Sequence, residues 1–130
     1  VTWKRRPVAA ALTSMIQAGA GNSVYVHHRM PEIVNPMCVV VGRVAAGAQY
    51  ATAAFGIDTV DLHLIVIGGA EQDDDIDDLR DTVRTVILGD STLKGTVSTA
   101  WPTGENGWRN FTGAGGIQLL YVELVVAIQM

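Results

Sequence analysis

The chain has a single cysteine, Cys38, in 130 residues. No disulfide can form within it, so the fold is not held by covalent staples. No run of eighteen apolar residues occurs, which removes a spanning helix from the reading. Aromatics make up 6% and charged residues 17%. Basic residues are few: nine Lys and Arg against thirteen Asp and Glu, a net charge of −4. A dedicated DNA-binding domain is basic, with its cations gathered on one face. Here Lys4, Arg5, Arg6 and Arg29 lie in the first thirty residues, with Arg43 beyond, so only a local phosphate-facing patch is available. Hydrophobic residues reach 48%, enough for a core and far from a disordered composition. The length fits one domain, and no internal repeat or linker divides it.

The opening VTWKRRPVAAALTSMIQAGA has a basic patch and a short apolar run that faintly mimic a secretory signal. Thr13, Ser14 and Gln17 interrupt that run, so a first helix over about 7–18 is the preferred reading. Pro7 suits its first turn, and Val8, Leu12, Met15 and Ile16 form one apolar stripe. Gly19 and Gly21 are expected to end it. Val24–Val26 reads as a short strand, and Cys38–Val44 as a buried β-branched strand. Residues 45–56, AAGAQYATAAFG, read as a hairpin tip or long loop. Residues 58–67 alternate apolar and polar and pair with 38–44 as an antiparallel hairpin. GTVSTAW (95–101) reads as a strand and PTGENGWRNFTGAGG (102–116) as a turn-rich excursion. In the closing strand 117–130 the even positions Leu120, Val122, Leu124, Val126 and Ile128 make the core face.

Residues 73–78 hold five aspartates in six positions. A calcium loop needs alternate oxygens, a glycine at its sixth position and a glutamate at its twelfth. Counted from Asp73, the alternate oxygens exist, but the sixth residue is Asp78 and the twelfth Arg84. A magnesium site would need phosphate-binding partners, and no P-loop accompanies the cluster. The alternative is the start of a helix. Ile76, Leu79, Val83, Val86 and Ile87 form an amphipathic stripe. Acids in the first turns complement the unpaired N–H groups and the dipole. Asp73 or Asp74 is expected to be the N-cap, Asp77–Arg80 and Asp81–Arg84 to pair, and Gly89 to close the helix in the left-handed conformation. The helix reading wins over the metal.

Other chemistry is thin. His27 and His28 point to opposite faces of a strand, and His63 with Cys38 across the hairpin makes two ligands, not a metal site. No serine sits in a nucleophile elbow. Trp101, Trp108, Phe111 and Tyr121 could stack bases, yet they lack the basic setting that stacking sites have. No catalytic residue, metal or cofactor is expected, and the chain is not read as an enzyme.

The second half carries a more specific pattern. A strand ending in Gly68-Gly69 leads to the helix LRDTVRTVI, then Gly89-Asp90-Ser91-Thr92-Leu93-Lys94-Gly95 and Thr96-Val97-Ser98. A glycine- and aromatic-bearing segment and a long strand, 119–126, follow. This order resembles the tail terminator (tail completion) proteins of long-tailed bacteriophages, where an L-x-D-x-T-L-x-G-x-V passage separates the last helix from the last strands. Leu88, Asp90, Thr92, Leu93, Gly95 and Val97 match it. Upstream, the N-terminal helix, the passage Arg29-Met30-Pro31 and a hairpin are similar too. The likeness covers 7–130 in element order and 60–125 in wording.

The resemblance implies an α+β fold: a mixed, mostly antiparallel sheet of four to five strands, packed by two or three helices, with long extended loops. It implies a structural virion protein, assembled in the host cytoplasm, whose copies form a ring, hexameric in the family, at the head-proximal end of the tail. The partners implied are the chain itself, the major tail tube protein and the head–tail connector (neck) proteins. DNA would pass through the lumen without being read, and no membrane is involved. Candidate subunit or tube contacts are Arg29, Arg43, Tyr50, Phe55, Asp77, Asp78, Trp108, Arg109 and Phe111. The acidic helix and the Arg5, Arg6, Arg29 region supply complementary charge for a heterologous ring interface. The alternatives are a connector ring protein of the same phage class and a small α+β ligand-binding domain or enzyme. A concave polar pocket with a histidine and a carboxylate in hydrogen-bond reach would mark the latter.

Overall fold

The structure is a computed structural model that describes residues 5–27, 31, 34, 37–52 and 57–129. Side chains are described for these except residue 5, residues 42–60, 106 and 114. The order is α1 (Arg5–Ala20), β1 (Tyr25–His27), β2 (Cys38–Thr52), β3 (Ile57–Gly69), α2 (Asp73–Gly89), β4 (Thr99–Thr112), a short 3₁₀ turn (Ala114–Gly116) and β5 (Gln118–Gln129). The five strands make one sheet in the order β1-β2-β3-β5-β4. Only β1–β2 is parallel; β2–β3, β3–β5 and β4–β5 are antiparallel. The fold is α+β, a mixed and mostly antiparallel open sheet with two helices. β3 and β4 run the same way with α2 between them in sequence, and β5 is inserted between them in the sheet, a split β-α-β unit.

Both helices cover one face of the sheet. Val8, Leu12, Met15 and Ile16 of α1 and Ile76, Leu79, Val83 and Ile87 of α2 are buried, as the stripes require. They meet Val39, Val41, Leu62, Leu64, Val66 and the even positions of β5 from Leu120 to Ile128. Each such side chain contributes roughly 1.5–3 kcal/mol of transfer free energy. Gly19 does not end α1. The helix continues to Ala20, and Gly21 (φ +85°) breaks it. At position 19 a Cβ would run into Val86 Cγ2, so the missing side chain lets α1 approach α2. Gln17 then ties the exit from the helix, its Nε2 donating to Gly21 O and Val24 O.

Two segments expected to be loops are strands. β2 runs through 45–52 and pairs with β3 out to Thr52↔Ile57. Its small residues are absorbed by bulges: Val41↔Leu64 is followed by Val44↔Leu62 and then Gln49↔Val60, so β2 takes three and five steps against two. The remainder of the expected tip, 53–56, lies outside the described residues. β4 runs through Pro102 and the glycines to Thr112, with register shifts after Pro102 and after Asn106. It is an edge strand, where a proline and bulges cost little because one side of the backbone has no ladder to break. Conversely, residues 95–98 are turn and bend, and the expected 95–101 strand begins only at Thr99.

Candidate functional site

The acidic segment is the N-terminal part of α2, but its aspartates do not cap it. The N-cap is Gln72, with no side-chain cap bond; its Oε1 accepts from Gly69 N at 2.7 Å instead. Asp73, Asp74 and Asp75 are exposed in the first turn, where the helix dipole favours negative charge. Asp77 pairs with Arg80 at 2.8 Å and Asp81 with Arg84 at 3.2 Å, as the spacing predicted. Both arginines also reach Glu105 of β4, Arg80 Nη1 at 3.0 Å and Arg84 through Nη2. Glu105 therefore clamps the helix to the sheet edge. Its position was read as part of a glycine-rich excursion, which hid the partner. Among the described residues no cluster of three or more His, Cys, Asp or Glu is placed to hold a metal ion.

The segment after α2 is a turn built from its own side chains. Gly89 is not left-handed, contrary to expectation; the positive φ angles fall at Leu93 (48°), Lys94 (57°) and Gly95 (78°). Asp90 holds this turn. Its Oδ1 accepts from Thr92 N and Oγ1 at 3.2 and 2.7 Å, and its Oδ2 accepts from Lys94 N at 3.0 Å. These bonds favour the charged form and keep the carboxyl below its ordinary range, Thr92 contributing most. Thr92 Oγ1 accepts from Gly95 N, and Val97 N donates to Thr92 O. The result drives Leu93 fully into the core and seats Val97 beside it. Lys94 Nζ donates to Ser14 Oγ of α1 at 2.9 Å. Five of the six residues that match the phage pattern thus have a structural duty. The sixth, Leu88, does not: its side chain is 62% exposed.

The sheet face away from the helices carries a second apolar cluster, Cys38, Val40, Ile67 and Leu119, with Val34, Ile65, Phe111 and Tyr121 packed against it. A cavity of about 290 Å³ opens there, lined by Ile65, Ile67, Phe111, Tyr121 and Glu123. Phe111 meets Tyr121 edge-on, centroids 5.5 Å apart. His63 Nδ1 contacts Glu123 Oε1 beside it. Cys38 and His63 are not brought together: Cys38 registers with Ile67, four residues along β3, about 13 Å away. Burial pushes the Cys38 thiol up to about 11, so it stays protonated and unreactive near neutrality.

No family model and no curated protein sequence matches this chain.

Of the expected contact residues, Arg29 and Phe55 lie outside the described residues, as do the side chains of Arg43 and Tyr50 on β2. Trp108 (42% exposed) and Arg109 are exposed on β4, and Phe111 is half-buried at the cavity. Asp77 is engaged by Arg80, leaving Asp78 as the more exposed carboxylate of the two. The structure gathers Arg109 and Phe111 on one sheet face and puts Asp77 and Asp78 on the opposite, helical side. Ile65, Ile67 and Glu123 were not singled out as site residues, and Tyr121 only as an aromatic able to stack a base. The signal was there: they occupy odd positions of two adjacent antiparallel strands and must share the helix-free face.

Proposed function

We propose that this chain is a non-catalytic structural subunit of a long-tailed phage. Copies form a ring, six in number, that terminates the tail tube and joins it to the neck. The ring binds the major tail tube protein on one side and connector proteins on the other, and DNA passes through its lumen. The observation that carries this reading is the Leu88–Val97 passage. Asp90, Thr92, Leu93, Gly95 and Val97 build the turn, while Leu88, equally part of the phage pattern, is 62% exposed. The α+β fold with two helices is also the fold that the resemblance implies. The test is the native mass with and without tail tubes, followed by imaging. A ring of six 13.8 kDa chains, free or templated on tube ends, is expected.

The ligand-binding reading has one observation in its favour, the His63–Glu123 contact beside the cavity. That cavity is walled by Ile65, Ile67, Phe111 and Tyr121, with Glu123 the one charged lining residue among those described. It has the apolar surface of a contact seat rather than the convergent polar groups of a catalytic pocket.

A further inference from the structure

We propose that Asn106-Gly107, on the edge strand β4, is a site of spontaneous covalent modification at which the asparagine becomes aspartate and isoaspartate. The covalent chain itself brings the reacting atoms together. In an Asn-Gly pair the backbone nitrogen of the glycine attacks Cγ of the asparagine carboxamide. A new C–N bond closes a succinimide ring, the Cγ–Nδ2 bond breaks, and Nδ2 leaves as ammonia, taking up the proton that the glycine N–H gives up. Water then opens the ring at either carbonyl, leaving aspartate or isoaspartate. Nothing is oxidised or reduced, and water is the one co-reactant. The step is intramolecular, so it draws on proximity rather than on a bound reagent. A glycine in second place leaves the attacking nitrogen unshielded by any Cβ.

The backbone around the pair is open. β4 lies at the edge of the sheet. Its ladder with β5 is broken at this point: Asn106↔Glu123 is followed by Arg109↔Tyr121, so three steps on β4 run against two on β5 and Gly107 falls in the bulge. Gly107 is exposed, and a Cβ built on it would meet nothing within 4 Å. Closing the ring there does not first require a regular ladder to be undone. The other three asparagines are poorer substrates. Asn22 precedes Ser23, whose side chain crowds the nitrogen, and Asn35 precedes Pro36, whose nitrogen carries no hydrogen. Asn110 precedes the bulky Phe111 and is held in register with Leu120.

The position gives the reaction a consequence. Asn106 registers with Glu123, whose Oε1 contacts His63 Nδ1 beside the cavity. Modification places a second negative charge directly across the strand pair from Glu123, an arrangement that disfavours pairing. Isoaspartate also adds a carbon to the backbone between positions 106 and 107. The modified chain therefore holds β4 less firmly on β5.

The test follows the full folded chain at pH 7.4 and 37 °C over weeks, with the same chain unfolded in guanidinium chloride as reference. Trypsin releases residues 95–109, in which Asn106 is the sole asparagine. The exchange of –NH2 for –OH is read by mass, and isoaspartate by enzymatic methylation of its carboxylate. The folded chain is expected to react at no less than roughly one-tenth of the unfolded rate, because the edge strand opens locally. Asn106 should react roughly tenfold or more faster than Asn22 and Asn110, and Gly107→Ala, which has room for its methyl group, should slow Asn106 by a similar factor. An unchanged Asn106 in the folded chain while the unfolded chain reacts would overturn the inference. So would equal rates at Asn22 or Asn110. Neither result bears on whether copies form a ring.

Discussion

Asp90 receives two backbone N–H groups and one hydroxyl on a single carboxylate, and with them fixes three consecutive residues at positive φ. Leu93 and Lys94 are not glycines, so that conformation is strained and needs outside support. Asp90→Asn is expected to lower stability at pH 7. The folded-state pKa is depressed, so the charged form's contribution is complete above the unfolded value of about 3.9 and is lost as pH falls through the lower folded one. The gap in urea midpoint between wild type and D90N should therefore close below about pH 4; a gap constant down to pH 2 would contradict the assignment. Gly19 gives a second test. Gly19→Ala gains helix propensity but drives a Cβ into Val86, and net destabilisation of about 1–3 kcal/mol is expected. The double variant with Val86→Ala should show coupling of opposite sign to a simple sum, read from a urea double-mutant cycle. The sequence pattern marked Asp90, Leu93 and Gly95 without saying why. Their reason is a hydrogen-bonded turn whose positive φ angles no periodicity reveals. The closing glycine was expected at Gly89 because propensity rules place it after the last apolar residue, whereas this chain delays it to Gly95.

At the scale of elements, both helices and the closing strand were legible because their apolar spacing has one consistent period. Ile76, Leu79, Val83 and Ile87 are all buried, and the even positions of β5 all face the helices. β4 and the distal half of β2 were not legible. Glycine, alanine and proline weaken the strand signal, and the register shifts in both strands break strict alternation. What makes them strands is the neighbour they pair with, β5 and β3, which is a tertiary fact. The Glu105 clamp follows from the same pairing. It places β4 under Arg80 and Arg84, whose other partners are Asp77 and Asp81 in their own helix. Glu105→Gln is expected to cost about 0.5–1 kcal/mol, after discounting for the solvent that reaches these side chains. The loss should shrink as salt is raised from 0.05 to 1 M, because screening weakens the wild-type network. Equal losses at both ionic strengths would show that Glu105 acts through packing alone.

For the whole molecule, the structure separates two faces. The helical side has the acidic start of α2 and the exposed Leu88; the other side has the apolar cavity with Glu123 and His63. Different patches on opposite sides suit a heterologous interface, which closes into a ring when the rotation between neighbours allows it. Leu88→Ser tests whether the exposed leucine belongs to that interface. It should change monomer stability by less than about 0.5 kcal/mol, as surface substitutions do, while weakening assembly several-fold by sedimentation. Unchanged assembly would remove Leu88 from the contact. The central claim is tested most directly by the native mass of the purified chain with and without phage tail tubes, followed by negative-stain imaging. The account predicts a ring of six 13.8 kDa subunits with an open lumen, free in solution or formed only on tube ends. A compact monomer or dimer that ignores tubes would contradict it and return the His63–Glu123 cavity to first place as a ligand site.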